Sequence, residues 1–94
     1  MIRGYGDRRT ERFAKGERIK QFEPFRRPAE KTLDWLDAAT SLGDIANFPG
    51  HRLKKLKGDR DGTYSVRIND RWRICLTWSD ESPGPASVTI EDYH

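Results

Sequence analysis

The sequence predicts an α+β fold: a mostly antiparallel sheet with N-terminal helices packed on one face. Three observations carry this. Apolar residues in the first half recur at helical spacing. From Arg52 onward they alternate with polar ones, as on half-buried strands. The chain has 94 residues, 34% of them apolar, enough for one small core. A chain of this length buries about 60–65% of the surface it exposes when unfolded. One domain over residues 1–94 is therefore expected, without a deep interdomain cleft and without a nucleotide-binding fold of the usual size.

In chain order, residues 1–5 suit a short strand around Ile2, weakened by Gly4 and Gly6. Asp7 is a suitable N-cap for a basic helix to about Lys15, which Gly16 stops. The clearest helix begins after Arg27, with Pro28 at its first position. Ala29, Leu33, Leu36 and Ala39 or Thr40 form its apolar stripe, and Trp35 widens it. Glu30 and Asp34 lie near its positive end. Gly43 is expected to end it, with a further helical turn at residues 44–46 and a loop at Pro49-Gly50. Leu53 and Leu56 flank a lysine-rich stretch, and residues 57–62 read as a polar turn. Residues 64–68, 72–78 and 86–90 then alternate as three strands, leaving one sheet face open.

Several classes drop out on composition. There is no apolar run of about 18 residues, so no membrane span is expected. No signal-like segment follows the start, and the cytosol is the simplest compartment. Cys75 is the only cysteine, which excludes a disulfide framework and a cysteine-built zinc site. The net charge is +3 and the pI about 9.2. Its distribution says more than its value. Residues 1–27 carry nine basic and four acidic groups, and residues 51–73 carry eight and three. The segments that follow each block are acidic. If the two basic blocks meet in the fold, they make a cationic surface suited to phosphate.

The hairpin register sharpens this. Apolar residues of both strands are even-numbered, so paired positions must have even sums. A three-residue loop at positions 69–71 satisfies that rule. It pairs Ile68 with Trp72, Val66 with Ile74, and Arg67 with Arg73 on the open face. Directly opposed arginines repel. Either both find solvent or carboxylates, or a polyanion satisfies both through the two-point guanidinium fork. Asp92, Tyr93 and His94 add a carboxylate, a phenol and an imidazole at the end of the last strand. His94 can exchange a proton near pH 7. His51, in a Pro-Gly loop, reads as structural or solvent-facing. Cys75 has no histidine set beside it by spacing and is not assigned as a nucleophile.

Lys57-Gly58-Asp59-Arg60-Asp61-Gly62, the run from Tyr64 through Arg67-Ile68-Asn69-Asp70-Arg71-Trp72-Arg73 to Ile74, and the ending Glu91-Asp92-Tyr93-His94 together resemble the HigB toxins. These are the host-inhibition-of-growth branch of the RelE/ParE superfamily. The order of elements suits the same family, so the resemblance spans nearly the whole chain. It implies a RelE-like fold and a type II toxin–antitoxin toxin that cleaves messenger RNA during translation. It further implies metal-independent chemistry without a cofactor. A HigA-like helix-turn-helix antitoxin would be the partner, and operator DNA would be bound only through the toxin–antitoxin complex. The residues carried over as catalytic are Lys57, Arg67, Arg73, Asp92, Tyr93 and His94. Lys54, Lys55, Arg8, Arg9 and Arg12 would contact ribosomal RNA by charge. Other members carry the strand arginine two positions later, here Asn69. Some have a histidine shortly before the lysine, where this chain has Lys54 and Lys55. The competing readings are a ParE-like gyrase inhibitor of the same fold and a non-catalytic RNA-binding module.

Overall fold

The computed structural model describes residues 1–47, 53–60, 62–79, 81 and 83–92. It is α+β, as expected. Helix α1 spans Arg8–Ala14, and Asp7 caps it by accepting from the Thr10 N–H at 2.7 Å. Gly16, at φ +98°, turns the chain out of the helix. This element follows the sequence reading because cap and stop are both local.

A 3₁₀ segment, Lys20–Phe25, comes next and was not expected. Its Phe22 is completely buried. The Phe22 ring meets Phe13 edge-on at 5.3 Å and Trp72 at 5.7 Å. Phe25 lies 4.9 Å from Trp72. These aromatic contacts tie the segment to the sheet, and tertiary packing thus overrides a sequence with no clear period.

Helix α2 spans Arg26–Ala38 and buries Ala29, Thr32, Leu33 and Leu36. It starts two residues before Pro28 and stops short of Gly43. The stop belongs to the next element. Ser41 caps helix α3, Leu42–Ala46, by accepting from the Asp44 N–H, and the Asp44 carboxylate accepts in return from the Thr40 N–H and hydroxyl. This reciprocal cap starts a new helix at the point where Gly43 was expected to end the old one. Trp35 does not widen the stripe; it is 46% exposed.

The sheet has four antiparallel strands in the order β1-β2-β3-β4. They are β1 Lys54–Lys55, β2 Thr63–Arg67, β3 Trp72–Trp78 and β4 Pro85–Asp92. The helices cover the face that carries Val66, Ile74, Leu76, Val88 and Ile90, all buried. The expected strand at residues 1–5 is reduced to a single parallel bridge between Tyr5 and Val88. Arg3 donates to the Pro85 carbonyl at 2.7 Å and Gly6 to that of Val88 at 2.9 Å. Gly6 approaches so closely that a Cβ there would lie 2.5 Å from Thr89 Cγ2. Further along β4, the buried Thr10 hydroxyl accepts from the Ile90 N–H at 3.0 Å. Helix α1 and the N-terminal segment thus close the edge that β4 would otherwise expose.

β3 and β4 change register between Cys75 and Thr77, opposite Ser87. Ser87 has φ +50°, the one non-glycine residue in that region among the described residues. The shift is a bulge that changes the parity of β4, so that Pro85 is buried along with Val88 and Ile90 although it is three residues from Val88.

Candidate active site

The strand register fixes which side chains share a face. Val66 pairs with Ile74 and Arg67 with Arg73, as the parity rule requires. In the next ladder Arg73 pairs with Glu91 and Cys75 with Thr89. Arg67, Arg73 and Glu91 therefore form one transverse row over three strands, on the face away from the helices. Ser65, Cys75 and Thr89 form the row beside it.

The two arginines find carboxylates. Arg67 pairs with Asp70 in the β2–β3 loop. Arg73, with 18% of its side chain exposed, has a guanidinium nitrogen 3.9 Å from a Glu91 oxygen. Glu91 is engaged more tightly elsewhere. Arg60 donates to both of its oxygens, at 2.7 and 2.8 Å, and the Thr89 hydroxyl donates to one at 2.6 Å. The Arg60 bonds, chiefly, hold the Glu91 carboxyl down to about 2. At neutral pH it is an anion and a poor proton acceptor.

This face is less open than alternation suggested. Ser65 and Cys75 are 2% and 1% exposed. Arg60 sits in the 3₁₀ turn Gly58–Arg60, within the β1–β2 connection, and reaches over the sheet to Glu91 on β4. Burial, and then the neighbouring Glu91 charge, push the Cys75 thiol up to about 11. A thiol so placed is a poor nucleophile, in agreement with leaving it unassigned.

The structure does not gather the remaining site residues at one point. Asp92 pairs with Trp72, so alternation turns it toward the helix side of the sheet, away from Arg73. There its carboxylate accepts from Arg71 Nε at 2.7 Å. The Arg71 guanidinium lies 5.9 Å from the Trp72 ring. Asp92 and the arginine row thus flank the same end of the sheet from two sides. Lys57 is exposed and makes no hydrogen bond or ion pair with a described residue. Tyr93, His94 and His51 lie outside the described residues.

The cationic set is likewise divided. Lys54 pairs with Ser65 and Lys55 with Tyr64, so adjacent lysines face opposite sides of the sheet. Both sit on the β1 edge. Arg8, Arg9 and Arg12 belong to α1, on the β4 edge, about 14 Å away across three strand spacings. Arg12 pairs with Glu17, and the Arg9 guanidinium lies over the Phe22 ring at 4.8 Å. Phe22 touches Trp72, and Trp72 is under Arg71. One arginine from each basic block is thus linked through this aromatic pair at the hairpin end of the sheet.

Four residues that engage the site were missed from sequence: Glu91, Arg60, Asp70 and Arg71. Glu91 carried a usable signal: Val88 and Ile90 face the core, so position 91 falls on the arginine face. Arg60 carried none, because a turn residue has no period from which to read its direction. Among the described residues, no cluster of three or more His, Cys, Asp or Glu side chains is placed to hold a metal ion. No helix among them is long and apolar enough to cross a membrane.

A small antiparallel sheet with helices on one face and opposed arginines on the other is consistent with the RelE-like class of α+β fold. The family model for the RelE-like toxin of type II toxin–antitoxin system HigB matches residues 5–94. The chain belongs to this HigB-like toxin family. It is 36% identical over 64 residues to Toxin HigB-1 of Vibrio cholerae serotype O1 (strain ATCC 39315 / El Tor Inaba N16961), over 68% of this chain. It is 36% identical over 63 residues to Endoribonuclease HigB of Proteus vulgaris, over 66% of this chain. Each match spans 64% of the relative's own length.

Proposed function

We propose that this protein is the toxin of a type II toxin–antitoxin system and a ribosome-dependent endoribonuclease that cuts translated messenger RNA. The observation that carries the reading is the Arg67–Arg73 pair, set side by side across a ladder. In the fold Asp70 and Glu91 offset their repulsion, and Asp70, 95% exposed, is the partner that an incoming phosphate would displace. A scissile phosphate gains negative charge as it is attacked, which is where paired guanidinium forks act. Family membership and the name of the Proteus relative point the same way.

The ribose 2′-hydroxyl attacks the adjacent phosphorus and gives up its proton. The bond from phosphorus to the 5′-oxygen breaks, and that oxygen takes a proton. The products are a 2′,3′-cyclic phosphate and a 5′-hydroxyl. In this scheme Arg67, Arg73 and Lys57 stabilise the charged phosphorus centre without a metal or cofactor. His94 moves the protons, Asp92 tunes it, and Tyr93 stacks on a base or bonds near the phosphate. Lys54 and Lys55 on one edge, and Arg8, Arg9 and Arg12 on the other, hold ribosomal RNA by salt-sensitive contacts. A shallow site suffices because the ribosome presents the RNA. The partner is a HigA-like helix-turn-helix antitoxin, through which alone the toxin reaches operator DNA. The site of action is the cytoplasm.

Purified protein is expected to cut a message on programmed ribosomes and to leave the same RNA intact when free. Inhibition of gyrase supercoiling without RNA cleavage would establish the ParE-like reading instead. Ribosome binding without cleavage would establish a non-catalytic RNA-binding module.

A further inference from the structure

Glu91 lies beside Arg73 in the transverse row, yet its carboxylate is committed elsewhere. Arg60 takes both oxygens at 2.7 and 2.8 Å, and Thr89 donates to one of them at 2.6 Å. Arg73 is left at 3.9 Å. A carboxylate free to swing would close a two-point pair with Arg73 and neutralise it. One pinned by Arg60 attracts the Arg73 guanidinium without saturating it. Arg67, on the other side of Arg73 in the ladder, is paired with Asp70. Arg73 thus lies between the Arg60–Glu91 pair and the Arg67–Asp70 pair, with most of its side chain buried.

We infer that Glu91, clamped by Arg60, is a positioning residue that holds the Arg73 guanidinium in place for the phosphate. The inference rests on the proposed function, in which Arg73 stabilises the reacting phosphate. Neither Arg60 nor Glu91 touches RNA in this account; each acts through Arg73. The plain alternative is a staple that only fastens the β1–β2 connection over Ser65 and Cys75.

The test is cleavage of a message on programmed ribosomes by the wild type, Arg73→Ala, Glu91→Gln, Arg60→Lys and the double variant Arg73→Ala/Glu91→Gln. Thermal unfolding of each runs alongside. Positioning predicts that Glu91→Gln lowers kcat by about 10–100-fold with KM changed less than about threefold. It predicts that the double variant is no worse than Arg73→Ala alone, because the two residues act as one unit. Arg60→Lys keeps the charge but loses the fork, so an intermediate kcat is expected. If Glu91→Gln does not fold, the same kcat criterion applies to Arg60→Lys. A folded Glu91→Gln within twofold of wild type overturns the inference. So does a loss that adds to that of Arg73→Ala, which is the mark of a staple. If Arg73→Ala itself cuts like the wild type, the proposed site fails and the inference with it. An impaired Arg73→Ala beside an unimpaired Glu91→Gln sinks the inference alone.

Discussion

At the level of single residues, the Glu91 carboxylate has a measurable signature. Its carboxyl titrates near 2 in the fold, against an ordinary value of 4.5. A depressed carboxylate contributes stability that is complete above the unfolded value and is lost as pH falls through the folded one. The window is therefore about pH 5 down to about pH 2. With a quarter of the side chain exposed, the contribution is on the order of 2 kcal/mol. Urea unfolding across that window should show wild type losing its margin over Glu91→Gln. Parallel curves would mean that the Arg60 bonds do not persist in solution. Cys75 gives a second check. A thiol pushed up to about 11 and 1% exposed should react with a thiol reagent at pH 8 at least about 100-fold more slowly than in urea. The Arg67–Arg73 pairing was legible because strand parity fixes it. Of the carboxylates that answer it, Glu91 follows from the same alternation, whereas Asp70, and the Arg60 that holds Glu91, lie in turns and have no period to read.

Single elements show where local signals suffice and where packing decides. Helix α1 was readable from Asp7 and Gly16 alone. The end of α2 was not, because the Ser41–Asp44 cap outweighs a glycine two residues along from Ser41. The segment Lys20–Phe25 has no period of its own, and the Trp72 contacts hold it. β1, two lysines long, carries no apolar alternation from which to read a strand. The α1–β4 contact rests on a buried side-chain bond. Thr10→Val should cost about 1–3 kcal/mol in chemical unfolding, because the Ile90 N–H loses its acceptor. Thr10→Ser should recover most of that loss. At the bulge, Ser87 sits where side chains are strained. Ser87→Gly should raise stability by up to about 1 kcal/mol, read as a higher urea midpoint at an unchanged slope.

Across the whole molecule, charge organises the chain more than its net value suggests. Of the two basic blocks, far apart in sequence, Arg9 and Arg71 each lie against one ring of the edge-on Phe22–Trp72 pair at the hairpin end. Yet Lys54 and Lys55 occupy the opposite edge from α1. A target that touched both would have to span the sheet from β1 to the α1 side. Sequence reading reached the class of fold and the arginine pair. It did not resolve the edges, because alternation gives a face and says nothing of strand order. The central claim is that the arginine row stabilises a phosphate being cut in translated RNA. Mapping RNA 5′ ends during induced expression of wild type and Arg73→Ala tests it most directly. The account predicts new 5′-hydroxyl ends within translated regions for wild type and a loss of at least about 100-fold for the variant. Equal cutting by both, or no new ends from wild type under arrested growth, would contradict it.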